Sequence, residues 1–505
     1  MSNEWNDDND RRGYRRPTGC AEPGTPLPRS TVVTTDRGRI RGVDEGPVRS
    51  FRGIPYAASP VGDLRFAPPR PHAYWAGVRD TVCSGPSVPQ GPSRLELVVG
   101  PRTPDWSEED CLTLNVWTPC ASGASRPVLV WFHGGGFTSG CGGWDWYDGA
   151  RLAALGDIVV VTANYRLGPL GFLYRPEMGA DNLGLRDQGA VLRWVYDNVA
   201  AFGGDPHTIT VGGQSAGAWT SLLLAVDPET GPLIRRVLAQ SSPLGLAEQS
   251  PDAARAAAAK YFGALGPMPD DDLAAGLRAL PVEQLVRTYA GLVRDTAVTA
   301  SVAPPMYPVL GGFGVRRGLR EAVREGALAD KDVLIGTTRE EAAAFFGFKP
   351  SVREAGRGEV LRMLRDEGGR VYDRYAGRRP EATPGQVFAD VMSDRVFHDG
   401  TRDVARARAW QGHPAYLYRF DRPIPAAELG LGAPHCAELP YLFGTFDAFA
   451  DSVLVRGADR VAAGELFAAF GGALAAFVAT GSPNGAGLET WKPHGPNDAE
   501  TMFFE

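Results

Sequence analysis

Between residues 110 and 245, short continuous apolar runs alternate with stretches of helical periodicity, and this alternation restricts the fold more than any other feature of the chain. Leu112–Trp117 (LTLNVW) alternates as a strand, and Val128–Phe132 is a buried-strand run. Gly149–Leu155 reads as a short helix. Ile158–Ala163 is a second β-branched run, followed by a loop around Gly168-Pro169. Leu185–Ala200 carries apolar residues at helical spacing, Thr208–Val211 is a strand and Ala216–Ala225 a helix. Continuous apolar strands separated by helices predict a mostly parallel sheet covered by helices on both faces, the α/β class. Upstream, Thr31–Gly42 alternates as a strand pair around the turn Asp36-Arg37-Gly38. Residues 251–300 and 461–479 are Ala-rich and helical, and Asp332–Ile335 and Ala415–Phe420 read as later strands. A length of 505 residues suggests roughly three domains. No stretch after residue 31 has linker composition, so the reading is one domain over 31–505 with a helical insertion at about 245–300. Residues 1–30, polar and Pro-rich, read as a disordered tail.

Composition narrows the function classes. Apolar residues make up 43% and charged residues 22%, which excludes a disordered chain, a coiled coil and a collagen-like fibre. The net charge of −7 argues against a nucleic-acid partner. The apolar runs read as strand-sized, well short of the ~20 residues of a membrane span. Met1–Arg16 is rich in Asp, Asn and Arg and has no apolar h-region, so the expected location is the cytoplasm. None of the six cysteines forms a C-x-x-C pair, so neither a zinc ribbon nor a thioredoxin-like site is expected, and free thiols are the default.

One pentapeptide concentrates the chemistry. Gly213-Gln214-Ser215-Ala216-Gly217 is G-x-S-x-G, placed after the strand HTITVGG and before the helix AGAWTSLLLA. The motif is weak alone, but this strand–turn–helix setting is the one it requires. The helix N-terminus directs backbone N–H groups at the serine. A serine hydroxyl needs a base, and a tetrahedral oxyanion needs fixed donors. The donors are legible at His133-Gly134-Gly135-Gly136-Phe137, directly after VLVWF. The N–H groups of Gly135, Gly136 and Ala216 are the candidate oxyanion hole. No G-K-[ST] follows the glycines, which disfavours a phosphate loop.

With these motifs in place the chain resembles the type-B carboxylesterase family, which includes cholinesterases and para-nitrobenzyl esterases. The resemblance runs from about residue 31 to 500. It rests on FRGIPYAASPVGDLRFAPPRP (Phe51–Pro71), SEEDCLTLNVW (Ser107–Trp117), VWFHGGGFTSG (Val130–Gly140), NYRLGPLGFL (Asn164–Leu173), NLGLRDQGAVLRWVYDNVAAFGGDP (Asn182–Pro206) and ATGSPN (Ala479–Asn484). The resemblance implies the α/β-hydrolase fold with helical cap excursions. It also implies a serine esterase that needs neither cofactor nor metal and acts on small-molecule esters.

The family's G-T-T-x-D-E-G pattern falls on Gly336–Ala342, which puts the acid at Glu341, with Glu340 as its rival. The pattern H-x-x-E-L-x-Y-x-F falls on His435–Phe443, which makes His435 the base. The implied catalytic set is Ser215, Glu341 and His435, in α/β-hydrolase order. His133 is assigned a structural role, and His398 a satisfied buried one. Three departures stand out. Gln214 replaces the usual Glu before the serine, and Ala342 replaces a Gly. Val88 occupies the position of the cysteine that usually pairs with Cys111, leaving Cys83 as a displaced candidate. Trp144, Trp146 and Tyr147 are candidates for an aromatic pocket wall, and the helices near 251–300 for its cap. Cys141 and Cys436, beside the oxyanion loop and the base, are candidates for thiol sensitivity of the activity, or else inert small hydrophobes. A lipase, a carbamate or lactone hydrolase, and a non-catalytic binding protein remain as alternative readings. The expected assembly is a monomer or small homo-oligomer without a membrane partner.

Overall fold

The computed structural model describes residues 29–505 apart from 103–104, 121–124, 268–271, 299, 366–367, 486 and 498. The expected tail over residues 1–30 therefore lies, up to residue 28, outside the described residues, and Ser30 already opens a strand.

Twelve strands form one sheet: β1 (Ser30–Thr34), β2 (Arg39–Glu45), β3 (Val48–Pro55), β4 (Val78–Asp80), β5 (Thr113–Pro119), β6 (Arg126–Phe132), β7 (Val159–Ala163), β8 (Gly204–Gln214), β9 (Arg236–Gln240), β10 (Asp332–Thr338), β11 (Tyr416–Phe420) and β12 (Met502–Phe504). Their order is β1-β2-β3-β5-β7-β6-β8-β9-β10-β11-β12, with β4 beside β2. The pairs from β1 to β7 along this path are antiparallel. Every pair from β7 to β12 is parallel.

The apolar runs dictate this layering. β5, β7 and β9 are buried at every position, as expected for strands covered on both faces. One apolar layer gathers Phe132, Leu192, Trp219 and Leu223 on one side of the sheet. A second gathers Trp131, Phe443, Phe470 and Phe477 on the other.

β6 lies between β7 and β8, so the chain leaves β6 toward one neighbour and returns later to the other. Such a reversal opens a crevice at the carboxyl ends of the strands, where open α/β sheets bind their ligands. The HGGG loop leaves the carboxyl end of β6, Ser215 that of β8 and Glu341 that of β10.

Several sequence expectations are corrected here. The loop around Gly168-Pro169 is a short helix, Gly168–Phe172, with proline in its first turn, where the missing N–H costs nothing. The helices at Pro251–Leu265, Leu273–Ala279 and Val282–Asp295 match the expected Ala-rich excursion. A second helical group between β10 and β11, running from Ala343–Phe346 to Asp399–Trp410, was not anticipated. Its pieces are mostly short, from four to twelve residues. Helix Arg460–Thr480 is long and apolar enough to cross a membrane by length and composition, contrary to the strand-sized reading of the apolar runs. Phe467, Phe470, Leu474 and Phe477 nevertheless bury it in the second apolar layer. No Cys83–Cys111 bridge forms, because Cys111 is a buried free thiol.

Candidate active site

Ser215 stands between β8 and the helix Ala216–Val226 at φ 56°, ψ −121°, a conformation that L-residues rarely adopt. Two contacts hold it there. Its N–H donates to the Gln240 carbonyl at 2.8 Å, and its carbonyl accepts from the Trp219 N–H at 3.0 Å. The turn closes only because the flanking positions lack a side chain. A Cβ on Gly217 would run into the Phe132 carbonyl oxygen, and one on Gly213 would lie 2.6 Å from the same atom. β6 and the serine turn are thus packed backbone to backbone.

His435 comes from the loop after β11 and is fully buried. Its Nδ1 contacts Glu341 Oε2. The other Glu341 oxygen accepts the Thr338 N–H at 2.8 Å. Backbone pairing stitches the two loops together. The His435 N–H donates to the Glu341 carbonyl at 3.3 Å, and the Glu340 N–H to the Ala433 carbonyl at 3.0 Å. The rings of Phe345 and Phe397 lie 5.1 and 5.0 Å from the imidazole centroid and fix its plane. Burial alone would raise the Glu341 carboxyl, but the adjacent His435 outweighs it and holds Glu341 below the usual carboxylate range. Glu340 points elsewhere. It accepts the Ala433 N–H at 2.8 Å and pairs with Arg339 at 3.2 Å. Ala342 sits at φ −77°, so the glycine it replaces is not required for the backbone here.

Two further groups surround the imidazole. The Gln214 amide Nε2 lies 3.1 Å from His435 Nε2. With Nδ1–H directed at Glu341, Nε2 is the acceptor and the amide donates to it. Below the pair, Ser241 Oγ donates to Glu438 Oε1 at 3.1 Å. Glu438 Oε2 is buried without a partner among the described residues. Burial and then the charge of Glu341 push the Glu438 carboxyl up to about 8, so it is neutral at pH 7.

The HGGG loop supplies fixed donors. Gly135 and Gly136 adopt φ 110° and 59°. Among the described residues no internal hydrogen bond engages the N–H of Gly135, Gly136 or Ala216. His133 stacks on Tyr165 at 4.5 Å and donates Nδ1–H to the Gly134 carbonyl at 2.7 Å. Burial lowers its pKa to about 4, so it is a neutral brace for the loop. His398 is satisfied by Asp394 Oδ1 at 2.7 Å and the Thr338 carbonyl at 2.8 Å.

These elements line a common pocket that is partly open to solvent. Ser215, His435, Gly135, Gly136 and Ala216 all line it, among walls that include Phe137, Trp219, Phe345 and Phe397. The expected aromatic wall at Trp144, Trp146 and Tyr147 does not line it. Trp146 stacks on Phe449 at 5.1 Å inside the second apolar layer. Nor do the helices over 251–295 contribute to the lining. Val302, Pro304, Phe345 and Phe397 do, from the segment after those helices and from the second helical group. Cys436 lines the cavity, but burial raises its thiol, as it does that of Cys141, so both are poor nucleophiles. The described residues hold no group of three or more His, Cys, Asp or Glu placed to bind a metal ion. The contacts of Gln214 and Glu438 with this centre escaped the sequence reading, although both residues lie inside motifs it used.

The sheet order, with its crevice at the carboxyl ends, defines an α/β-hydrolase. The carboxylesterase family model matches residues 29–505, and the chain belongs to this family. It is 38% identical to the phenmedipham hydrolase of Pseudarthrobacter oxydans over 480 residues, covering 93% of this chain and 94% of that one. It is 33% identical to the para-nitrobenzyl esterase of Bacillus subtilis (strain 168) over 479 residues, covering 94% of each. Among solved structures it superposes on the Geobacillus stearothermophilus carboxylesterase EST55 at pH 6.2, with a TM-score of 0.81 and 38% identity. That match covers 94% of this chain and 96% of the other. The protein is a carboxylic-ester hydrolase.

Proposed function

We propose that the chain hydrolyses carboxylic esters through Ser215, His435 and Glu341, with Gly135, Gly136 and Ala216 as the oxyanion hole. The observation that carries this reading is the convergence of a strained serine, a histidine in contact with a buried carboxylate, and three unengaged N–H groups on one cavity. His435 Nε2 takes the Ser215 proton as Oγ bonds to the ester carbonyl carbon. To do so Nε2 exchanges the Gln214 amide for the serine hydroxyl. The three N–H groups hold the oxyanion, and Glu341 stabilises the imidazolium. Collapse breaks the C–O bond, and the alkoxide leaves with the proton from His435. Water, deprotonated by His435, then releases the acid from the acyl-enzyme. Residues 31–505 act as one catalytic domain, since a single sheet runs from β1 to β12. The reading extends to a cytoplasmic monomer or small homo-oligomer, which fractionation and size-exclusion chromatography test.

The decisive experiment is hydrolysis of para-nitrophenyl esters from acetate to palmitate by the wild type and Ser215→Ala. The expected result is turnover that peaks on short acyl chains and falls at least ~10⁴-fold in the variant. A well-folded wild type that turns over no ester, or a variant that keeps its rate, overturns the assignment. A maximum on long chains favours a lipase.

A further inference from the structure

One wall of the cavity carries a cation that no carboxylate among the described residues neutralises. Arg94 lies in the loop before helix Glu96–Val99 and lines the cavity with Leu95, Phe137, Trp219 and Val302. Its Nη1 donates to the Val302 carbonyl at 3.1 Å. Its Nη2 occupies the space that a Cβ on Gly136 would fill, so the guanidinium lies directly against the oxyanion loop. No carboxylate pairs with it among the described residues. The ionisable groups that sense it are the Tyr289 hydroxyl and the Lys349 ammonium, and Lys349 is a second cation. The side chain remains accessible to solvent, yet surrounding protein depresses its pKa through desolvation.

Arg94 lines a mostly apolar pocket as a solvent-accessible charge without a carboxylate partner among the described residues. An apolar pocket that binds only neutral esters has no use for one. A guanidinium with unengaged N–H groups is instead shaped for bidentate contact with a carboxylate. We propose that Arg94 reads a carboxylate carried by the ester substrate within a few atoms of the scissile carbonyl. The inference rests on the esterase reading above and specifies its substrate class: half-esters of dicarboxylic acids, or esters whose leaving group bears a carboxylate. Lys349 adds to the positive potential that draws such a substrate in.

The test compares charged and neutral esters of matched length. In the acyl arm, mono-para-nitrophenyl glutarate is set against para-nitrophenyl pentanoate. In the leaving-group arm, 4-(pentanoyloxy)benzoate is set against its methyl ester. The readout is the charged-to-neutral ratio of kcat/KM in wild type, Arg94→Met and Arg94→Lys. In at least one arm the ratio is expected to fall ~10-fold or more in Arg94→Met, chiefly through KM, and to be partly retained in Arg94→Lys. Added salt lowers the wild-type ratio in the same arm. If Arg94→Met slows charged and neutral esters equally in both arms, Arg94 only braces the loop through Val302 and the proposal falls. The salt dependence of the wild type decides the matter if Arg94→Met fails to fold, and a salt-insensitive ratio then overturns it. A wild type that hydrolyses pentanoate in a Ser215-dependent manner without an Arg94-dependent ratio refutes this inference alone. Failure on every ester refutes the esterase reading with it.

Discussion

Gln214 has more influence on the chemistry than its place between two motif glycines suggests. Its amide meets His435 Nε2 at 3.1 Å, the nitrogen that accepts the Ser215 proton in the proposed mechanism. The amide is neutral, so it competes for the lone pair without adding charge. A carboxylate in its place would stabilise the protonated imidazole. For Gln214→Glu the expected outcome is an acid limb of the kcat/KM profile shifted upward by about one pH unit or more. An unchanged limb would mean that residue 214 does not sense the base. At this scale the sequence was readable where a motif fixed the residue type: it offered Ser215, His435 and Glu341 as the candidate set and preferred Glu341 over Glu340, and the structure brings Glu341 against His435. What it left unread was contact. Whether the 214 side chain turns toward the imidazole depends on the packing of Gly134, whose Cβ would lie 2.6 Å from Gln214 Oε1.

At the scale of elements, the strands were the most legible part. β6 and β7, both read from the sequence, are short β-branched or apolar runs covered on both faces, a pattern that admits few other structures; β9 was not read. The second helical group was not legible in the same way. Its pieces are mostly short, and Gly368–Arg378 buries Tyr372 and Tyr375 in a cluster formed with the neighbouring helices of the same group. The pocket wall was misplaced with it, because Phe345 and Phe397 lie in or beside that group. Helix Arg460–Thr480 illustrates the same limit: apolarity alone does not distinguish a core helix from a spanning one. The β8–turn–helix element yields a sharp prediction. Gly217→Ala drives a methyl group into the Phe132 carbonyl, so the helix must retreat from β6. We expect a loss of about 1–3 kcal/mol in stability, together with a larger loss of esterase activity than of fold. Denaturant unfolding and kcat measured on the same preparation check both.

Across the whole molecule, two buried carboxyls with opposite shifts shape the pH dependence of stability. Glu341 is held below its usual range, so its contribution is present above about pH 4.5 and is lost on acidification. Glu438 is raised to about 8. Between about pH 4.5 and 8 the folded state holds a proton that the unfolded state has released, so stability declines as pH rises through that window. Glu438→Gln removes this term. Its Tm is expected to fall less than that of the wild type between about pH 5 and 8, and parallel Tm curves would refute the assignment.

The order of strands also sets when the protein can first act. Ser215 follows β8, whereas His435 follows β11, 220 residues later (435 − 215). As the chain emerges from the ribosome, the serine turn and its oxyanion loop precede the base by nearly half the length of the protein. If Ser215 and His435 act as proposed, a nascent chain arrested before β11 carries the serine without its base. On the proposed mechanism, esterolysis cannot begin until β11 and the loop that carries His435 have been synthesised.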